Sequence, residues 1–371
     1  MKLFFVSGEA SGDQHASKVI EYIHHNAPEI ELVAWGGDLS KQAGARLLSH
    51  YKDRAYMGLI EVIKNIRTIK GFMNQAKRDI LNEKPDAIVF IDNPGFNLPL
   101  AKFAKSLGIP VHWYIAPKAW AWNKKRVKTM RQCIDHLYVI FPFEVAFFEG
   151  LNMPCTYVGN PTFESVQAYL KAHPNPSQQT PTIAILAGSR MNEVANLLPD
   201  FIRTAQQFPQ YQAVIAGAPG LNESFYQTLL KEHGLTAKVE FNKTFDILKQ
   251  AADTKGLAIV ASGTATLETA LFKVPQIVAY KVNSLTYFVG KQVLKISAVS
   301  LVNILLKTNL LEEHLQDTRV PTLTKAIQRL LQPETLQTVT EGYQTLWNNL
   351  EGNPTRYPSK EVGQAIINSL T

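Results

Sequence analysis

A chain of 371 residues is too long for one ordinary core, so two domains are expected. With 46% hydrophobic and 19% charged residues it has a globular composition, which excludes a collagen-like, coiled-coil or extensively disordered chain. A net charge of +7 suits anionic partners such as phosphorylated small molecules, anionic lipid or nucleic acid, and two cysteines, Cys133 and Cys155, build neither a disulfide framework nor a four-cysteine zinc site. So few thiols fit a reducing cytoplasm. Charges interrupt every apolar stretch before the roughly 20 residues that a membrane span needs.

In chain order, the stretch from Met1 to Asp13 has too short an apolar run for a signal-peptide core and reads as a first buried strand, Leu3 to Val6. Gly8-Glu9-Ala10-Ser11-Gly12-Asp13 follows it, then a helix to about His25. Further strands are expected at Glu31 to Trp35, Ala87 to Ile91, Val111 to Ile115 and Leu137 to Ile140. Near-continuous apolar strands alternating with helical patterns predict a parallel sheet covered on both faces. The polar, proline-rich stretch His173 to Pro181 reads as a linker. Beyond it the rhythm restarts at Thr182 to Leu186, Gln212 to Ala216 and Leu257 to Ala261, and the chain after about Pro333 is helical and contains Trp347. The expected division is 1–165, 166–340 and a helical tail, 341–371, free to pack back on the first domain or on a partner. Two Rossmann-like parallel-sheet domains in tandem would bind ligand in a central cleft at their C-terminal strand edges.

The patterned loops all follow predicted strands. In the first, Gly8, Glu9, Ser11, Gly12 and Asp13 lack the dinucleotide glycine fingerprint, which discounts a nicotinamide or flavin enzyme. The two glycines serve either a turn of positive φ or backbone N–H groups facing a ligand. Asp92, in Ile91-Asp92-Asn93-Pro94, is a strand-end carboxylate that reads as a general base or as a turn cap. Gly188-Ser189-Arg190 precedes a helix starting near Asn192 and Glu193, so backbone, helix dipole and guanidinium could hold a diphosphate; the alternative for Arg190 is a surface salt bridge. In Ser262-Gly263-Thr264-Ala265-Thr266-Leu267-Glu268, Ser262 and Thr264 can cap a helix or donate to phosphate. Glu268 lies one turn on, either facing the same ligand or an ordinary surface carboxylate.

Other segments stay open between structure and binding. The apolar stripes from Met57 to Ile63 and from Tyr287 to Leu306 read as core or as an acyl-chain groove. Trp120 and Trp122, which read as an interfacial site or a packed corner, precede Lys124, Lys125, Arg126, Lys128 and Arg131, which read as a solvated helix face or a binding patch. No nucleic-acid signature accompanies that cluster.

Taken together, GEASGD, YMGLIEVI, IDNPGFN, WAWNKKRVK, FPFE, the Gly-Ser-Arg loop, ASGTATLE, VSLVN and EEHLQ closely resemble the lipid-A-disaccharide synthases. They run in that family's order from Gly8 to Gln316. The resemblance implies a GT-B type glycosyltransferase with two facing Rossmann-like domains. It implies a UDP-diacylglucosamine donor, a diacylglucosamine phosphate acceptor and inversion at the anomeric carbon. Asp92 matches the proposed base, Arg190 the diphosphate ligand, Glu268 the ribose ligand of related two-domain transferases, and Asn303 a position important for activity. No cofactor or metal is implied, because arginine and helix dipole stabilise the departing UDP. The implied location is the cytoplasm, peripherally on the inner membrane, with no nucleic-acid partner; a homodimer is left open. Gly95, Asn160, Ala187 and Val302 stand where the family commonly has Asp, His, Pro and Pro. The rival readings are another UDP-N-acetylglucosamine transferase, a UDP-N-acetylglucosamine epimerase of the same architecture, and a non-catalytic lipid- or nucleotide-binding protein.

Overall fold

The computed structural model describes residues 1–54, 66–122, 124–176, 180–261, 263–281, 298–351 and 357–370. The chain forms two compact units, Met1–Pro161 with Gly352–Thr371, and Thr162–Glu351. The expected apolar segments 57–63 and 287–297 lie outside the described residues.

The strands of the first unit are β1 (Lys2–Ser7), β2 (Glu31–Gly36), β3 (Arg46–His50), β4 (Ala87–Ile91), β5 (Val111–Tyr114), β6 (His136–Val139) and β7 (Thr156–Tyr157). They pair in the order β3-β2-β1-β4-β5-β6-β7, all parallel. Alternation along each strand sends side chains to both faces, and both faces are apolar. Phe4, Val6, Trp35, Phe90 and Trp113 pack on one side with Ala76 and Ile80 of helix Ile66–Glu83 and Leu100 and Ala104 of helix Pro94–Ser106. Leu3, Phe5, Ala34, Val89 and Ile91 pack on the other with Val19, Ile20 and Ile23 of helix Ala10–Asn26. Val362 and Ile366 of the last helix, Pro358–Leu370, join that second cluster. Each large side chain so buried contributes about 1.5–3 kcal/mol of transfer free energy.

The last helix docks closely on Ala10–Asn26. A Cβ at Gly363 would lie 2.5 Å from the Tyr22 ring, and the Tyr22 hydroxyl donates to Gln364 Oε1 at 2.9 Å. At its far end the Ser369 hydroxyl meets Nε2 of buried His112 at 3.1 Å, while the Tyr138 hydroxyl lies 2.9 Å from Nδ1.

The second unit contains β8 (Thr182–Leu186), β9 (Gln212–Gly217), β10 (Lys238–Phe241), β11 (Leu257–Val260), β12 (Gln276–Tyr280) and β13 (Glu313–Leu315). Their order is β10-β9-β8-β11-β12-β13, again all parallel. Helix Pro333–Glu351 lies wholly in this unit, so residue 340 falls mid-helix rather than at a boundary. Its stripe Val339, Tyr343, Leu346 and Leu350 is buried, and Trp347 packs edge-on against Phe163 at 4.8 Å.

Strand order reverses between β1 and β4 in one sheet and between β8 and β11 in the other. At such a switch point the loops leaving neighbouring strands diverge to opposite faces and open a crevice. The loops concerned are those the sequence singles out: Gly8–Asp13 and Asp92–Asn97 in the first unit, Gly188–Arg190 and Gly263–Glu268 in the second.

Candidate active site

In the first unit the two loops touch. A Cβ on Gly8 would come within 2.0 Å of Asn93 Nδ2, so any side chain there would have to displace the Asn93 amide; glycine serves close approach here and not a positive φ. Gly12 lets its helix lie on β1, where a Cβ would sit 3.3 Å from Ser7 Cβ. Glu9 and Ser11 are exposed, and the Ser11 hydroxyl donates to Glu9 Oε1 at 2.7 Å. Asp13 turns the other way. It is 2% exposed, and its carboxylate accepts from the backbone N–H of Gly37 at 2.7 Å, Leu39 at 3.1 Å and Ser40 at 3.3 Å, and from the Ser40 hydroxyl. That makes it the cap of the short helix Asp38–Gln42, with no oxygen turned toward the crevice loop.

Asp92 and Asn93 both adopt left-handed backbone, φ +44° each, directly after β4. Such a pair costs about 1–3 kcal/mol per residue and persists only where its surroundings over-determine it. Here the Asp92 N–H donates to Tyr114 O at 3.0 Å, and buried Asn97 donates through Nδ2 to the carbonyls of Ile91 and Asp92 at 3.2 and 2.9 Å. The turn thus holds the Asp92 carboxylate half-buried at the strand end. Burial pushes it up to about 6; the Lys118 ammonium works against that shift and Glu9 adds to it. A carboxylate in that range suits proton abstraction near neutral pH. At Gly95 an added Cβ meets open space, so the departure there leaves the turn intact.

Two residues to which the sequence analysis gives no role complete this edge: Glu144, the last residue of FPFE, and Lys118. Glu144, 1% exposed after β6, accepts from the backbone N–H of Ile140 and Phe141 at 3.1 and 3.0 Å and from the Trp120 indole at 3.0 Å. Burial pushes its carboxyl up to about 7. Lys118, between β5 and Trp120, is exposed. Glu144 is the N3 residue of a capping box at the start of helix Pro142–Glu149, and its bond to Trp120, 24 residues away, needs the fold to form.

In the second unit Gly188 has φ +113°, and Arg190 caps helix Met191–Ala205. The backbone N–H groups of Ser189 and Arg190 point at Glu193 Oε2, at 3.3 and 3.4 Å, and the Arg190 guanidinium meets Glu193 Oε1 at 3.2 Å. The Tyr280 hydroxyl donates to the same oxygen at 3.3 Å. Backbone N–H groups, guanidinium and phenol therefore converge on one carboxylate, which marks an anion position at this helix start. The Arg190 side chain is 77% exposed and leaves its pair with Glu193 at little cost.

Across the switch point, Gly263 has φ +115° and starts helix Thr264–Leu271. Thr264 is exposed. Glu268 is half-buried, its carboxylate makes no hydrogen bond to another described residue, and burial pushes it up to about 7. Ser262 lies outside the described residues.

Asn303 does not join these groups. It is 3% exposed; Nδ2 donates to Leu311 O at 2.9 Å and Glu313 Oε1 at 2.8 Å, and Oδ1 accepts from Leu311 N at 2.9 Å. With both amide hydrogens engaged, the side chain pins the turn from helix Leu301–Leu306 into β13. Asn303→Ala orphans the Leu311 N–H and carbonyl, about 1–3 kcal/mol each. The expected outcome is a lower melting temperature with UDP affinity retained at temperatures where the variant is folded, measured by thermal denaturation and calorimetric titration.

Comparison with known proteins gives the family and the fold. The family model for lipid-A-disaccharide synthetase matches residues 3–360. The chain belongs to the lipid-A-disaccharide synthase family. A lipid-A-disaccharide synthase of Myxococcus xanthus is 33% identical over 329 residues, covering 86% of this chain and 85% of the relative. One from Nitrosococcus oceani is 35% identical, covering 85% and 83%. Family membership makes the chain a glycosyltransferase, not a non-catalytic binding protein. Solved structures add the fold: a UDP-GlcNAc 2-epimerase of Methanocaldococcus jannaschii in complex with UDP-GlcNAc and UDP matches at TM-score 0.63 and 14% identity, covering 100% of this chain and 99% of that one. The calicheamicin glycosyltransferase CalG4 matches at TM-score 0.61 and 14% identity, with the same coverage. At that identity the likeness is of architecture, two Rossmann-like parallel-sheet domains of GT-B type, and gives no support to epimerase chemistry.

Proposed function

We propose that the chain condenses UDP-2,3-diacylglucosamine with 2,3-diacylglucosamine 1-phosphate, giving the β-linked disaccharide 1-phosphate and UDP with inversion. The first unit holds the acceptor at Gly8, Glu9, Ser11 and Gly12, with Asp92 at its primary hydroxyl. Asp92 takes the hydroxyl proton as that oxygen attacks the donor's anomeric carbon. The bond from that carbon to the diphosphate breaks, and its electron pair leaves with UDP. On the second unit the Gly188–Arg190 loop and Gly263 and Thr264 hold the diphosphate, and Glu268 hydrogen-bonds the ribose. Glu193 occupies the anion position until the diphosphate displaces it. Positioning and charge stabilisation on the leaving group supply most of the acceleration. Asp13 and Asn303 act as scaffold.

The observation that carries this reading is the doubly left-handed turn that holds a half-buried carboxylate, pushed up to about 6, at the switch point of the first sheet. Family membership supplies the substrate class. Among the described residues no helix is long and apolar enough to cross a membrane. The lipid substrates are reached from the cytoplasmic face of the inner membrane, where exposed Lys124, Lys125 and Lys128 suit an anionic surface; Lys124 also lies over the Phe147 ring at 5.8 Å.

Donor choice tests the assignment. With the acylated acceptor present, UDP-2,3-diacylglucosamine is expected to release UDP and UDP-N-acetylglucosamine is not. Equal turnover of both donors would point to the other UDP-N-acetylglucosamine transferases.

A further inference from the structure

We propose that Lys118 is the acceptor's phosphate-binding residue, a specificity determinant set beside the proposed base. The inference rests on the glycosyl-transfer reading above and goes beyond it by assigning the group that recognises the anomeric phosphate.

Strand register sets the position. Ile91 of β4 pairs with Tyr114 of β5, so the two chains reach the sheet edge together, and the Asp92 N–H bonds to Tyr114 O at 3.0 Å. The chain leaves β5 through Ile115, φ +68°, and of the five residues 115–119 only Lys118 is exposed. The segment is anchored on its far side, where Trp120 donates to Glu144 and Glu144 in turn holds Ile140 and Phe141. A rigid backbone therefore projects one ammonium at the edge that carries Asp92. Lys118 forms no hydrogen bond or ion pair with any other described residue, which leaves it open to an anionic ligand.

The acceptor's chemistry requires a cation there. Its anomeric phosphate is on C1 and its primary hydroxyl is on C6, the exocyclic carbon attached to C5. Because C1 and C5 flank the ring oxygen, the base for the hydroxyl and the ligand for the phosphate lie at the same edge of the sugar ring, within one sugar's breadth of each other. A phosphate monoester brings close to two negative charges. Set next to Asp92 and Glu9 without compensation, that charge would favour protonated Asp92 and disable the base. An ammonium between the two anions relieves the repulsion and fixes the sugar's orientation. Glu9, exposed, and Asp92, half-buried, bring negative charge to this edge.

Lys118→Ala and Lys118→Arg, assayed with 2,3-diacylglucosamine 1-phosphate and with its dephosphorylated counterpart, test the assignment. Lys118→Ala is expected to raise KM for the phosphorylated acceptor by about tenfold to a hundredfold, the size of one charge-assisted hydrogen bond. Measured well above the acid limb, where Asp92 is ionised with or without the Lys118 charge, its kcat/KM for the dephosphorylated sugar, or that sugar's Ki as a competitive inhibitor where turnover is too slow, should match wild type. Lys118→Arg should recover most of the loss, and UDP affinity and melting temperature should stay unchanged in both variants. An unchanged KM for the phosphorylated acceptor, or an equal loss on both acceptors, overturns the assignment while leaving the transferase reading standing. Wild-type protein that forms no disaccharide from either acceptor overturns both.

Discussion

Asp92→Asn is expected to lower kcat by about 10²–10⁴-fold while leaving UDP affinity within about twofold of wild type. Asparagine keeps the shape and the tolerance for left-handed backbone that the turn after β4 demands, so the substitution removes the base without removing the fold. Turnover at the wild-type rate would remove Asp92 from the mechanism. The same residue sets a pH dependence whose sign follows from its role. The carboxylate is the working form and its pKa is pushed up to about 6, so kcat/KM for the acceptor should be level at neutral pH and fall as pH drops through about 6. Lys118 and Glu9 are the charged neighbours that tune this limb, in opposite senses. A limb near 4 would mean that burial does not act on the group that limits the rate.

Arg190→Ala is expected to weaken UDP binding by about tenfold to a hundredfold, as one charge-assisted bond of 1.5–3 kcal/mol is lost. Binding of UMP, which lacks the second phosphate, should change less. Melting temperature should barely move, since the exposed pair with Glu193 contributes little to stability. Calorimetric titration with both nucleotides in the absence of acceptor reads the affinities, and thermal denaturation reads the melting temperature. Unchanged UDP affinity would leave Arg190 with only its pairing to Glu193.

Much of this was legible in the sequence because it rests on strand hydrophobicity. Runs such as Ala87–Ile91 are apolar at every position, as a doubly covered parallel strand must be, and the loops that follow them are where such sheets bind ligands. Asp92, Arg190 and Glu268 stand out as candidates for that reason. The partner that a polar side chain finds was not. Asp13 sits inside a candidate binding loop yet caps the Asp38–Gln42 helix from 24 residues away, and Asn303 spends its amide on Leu311 and Glu313. Glu144 was visible in FPFE, but its bond to Trp120 and the placing of Lys118 beside Asp92 depend on neighbouring strand ends meeting in space. Glu193 was visible as a helix-start residue; that its carboxylate folds back onto the loop N–H groups needed coordinates.

The central claim is direct transfer between a donor held on one unit and an acceptor activated on the other. The most direct test incubates wild-type protein with UDP-2,3-diacylglucosamine in the presence and absence of 2,3-diacylglucosamine 1-phosphate and follows UDP and disaccharide together. The account predicts equimolar UDP and β-linked disaccharide phosphate only when acceptor is present. UDP-sugar conversion that proceeds equally well without acceptor would contradict it.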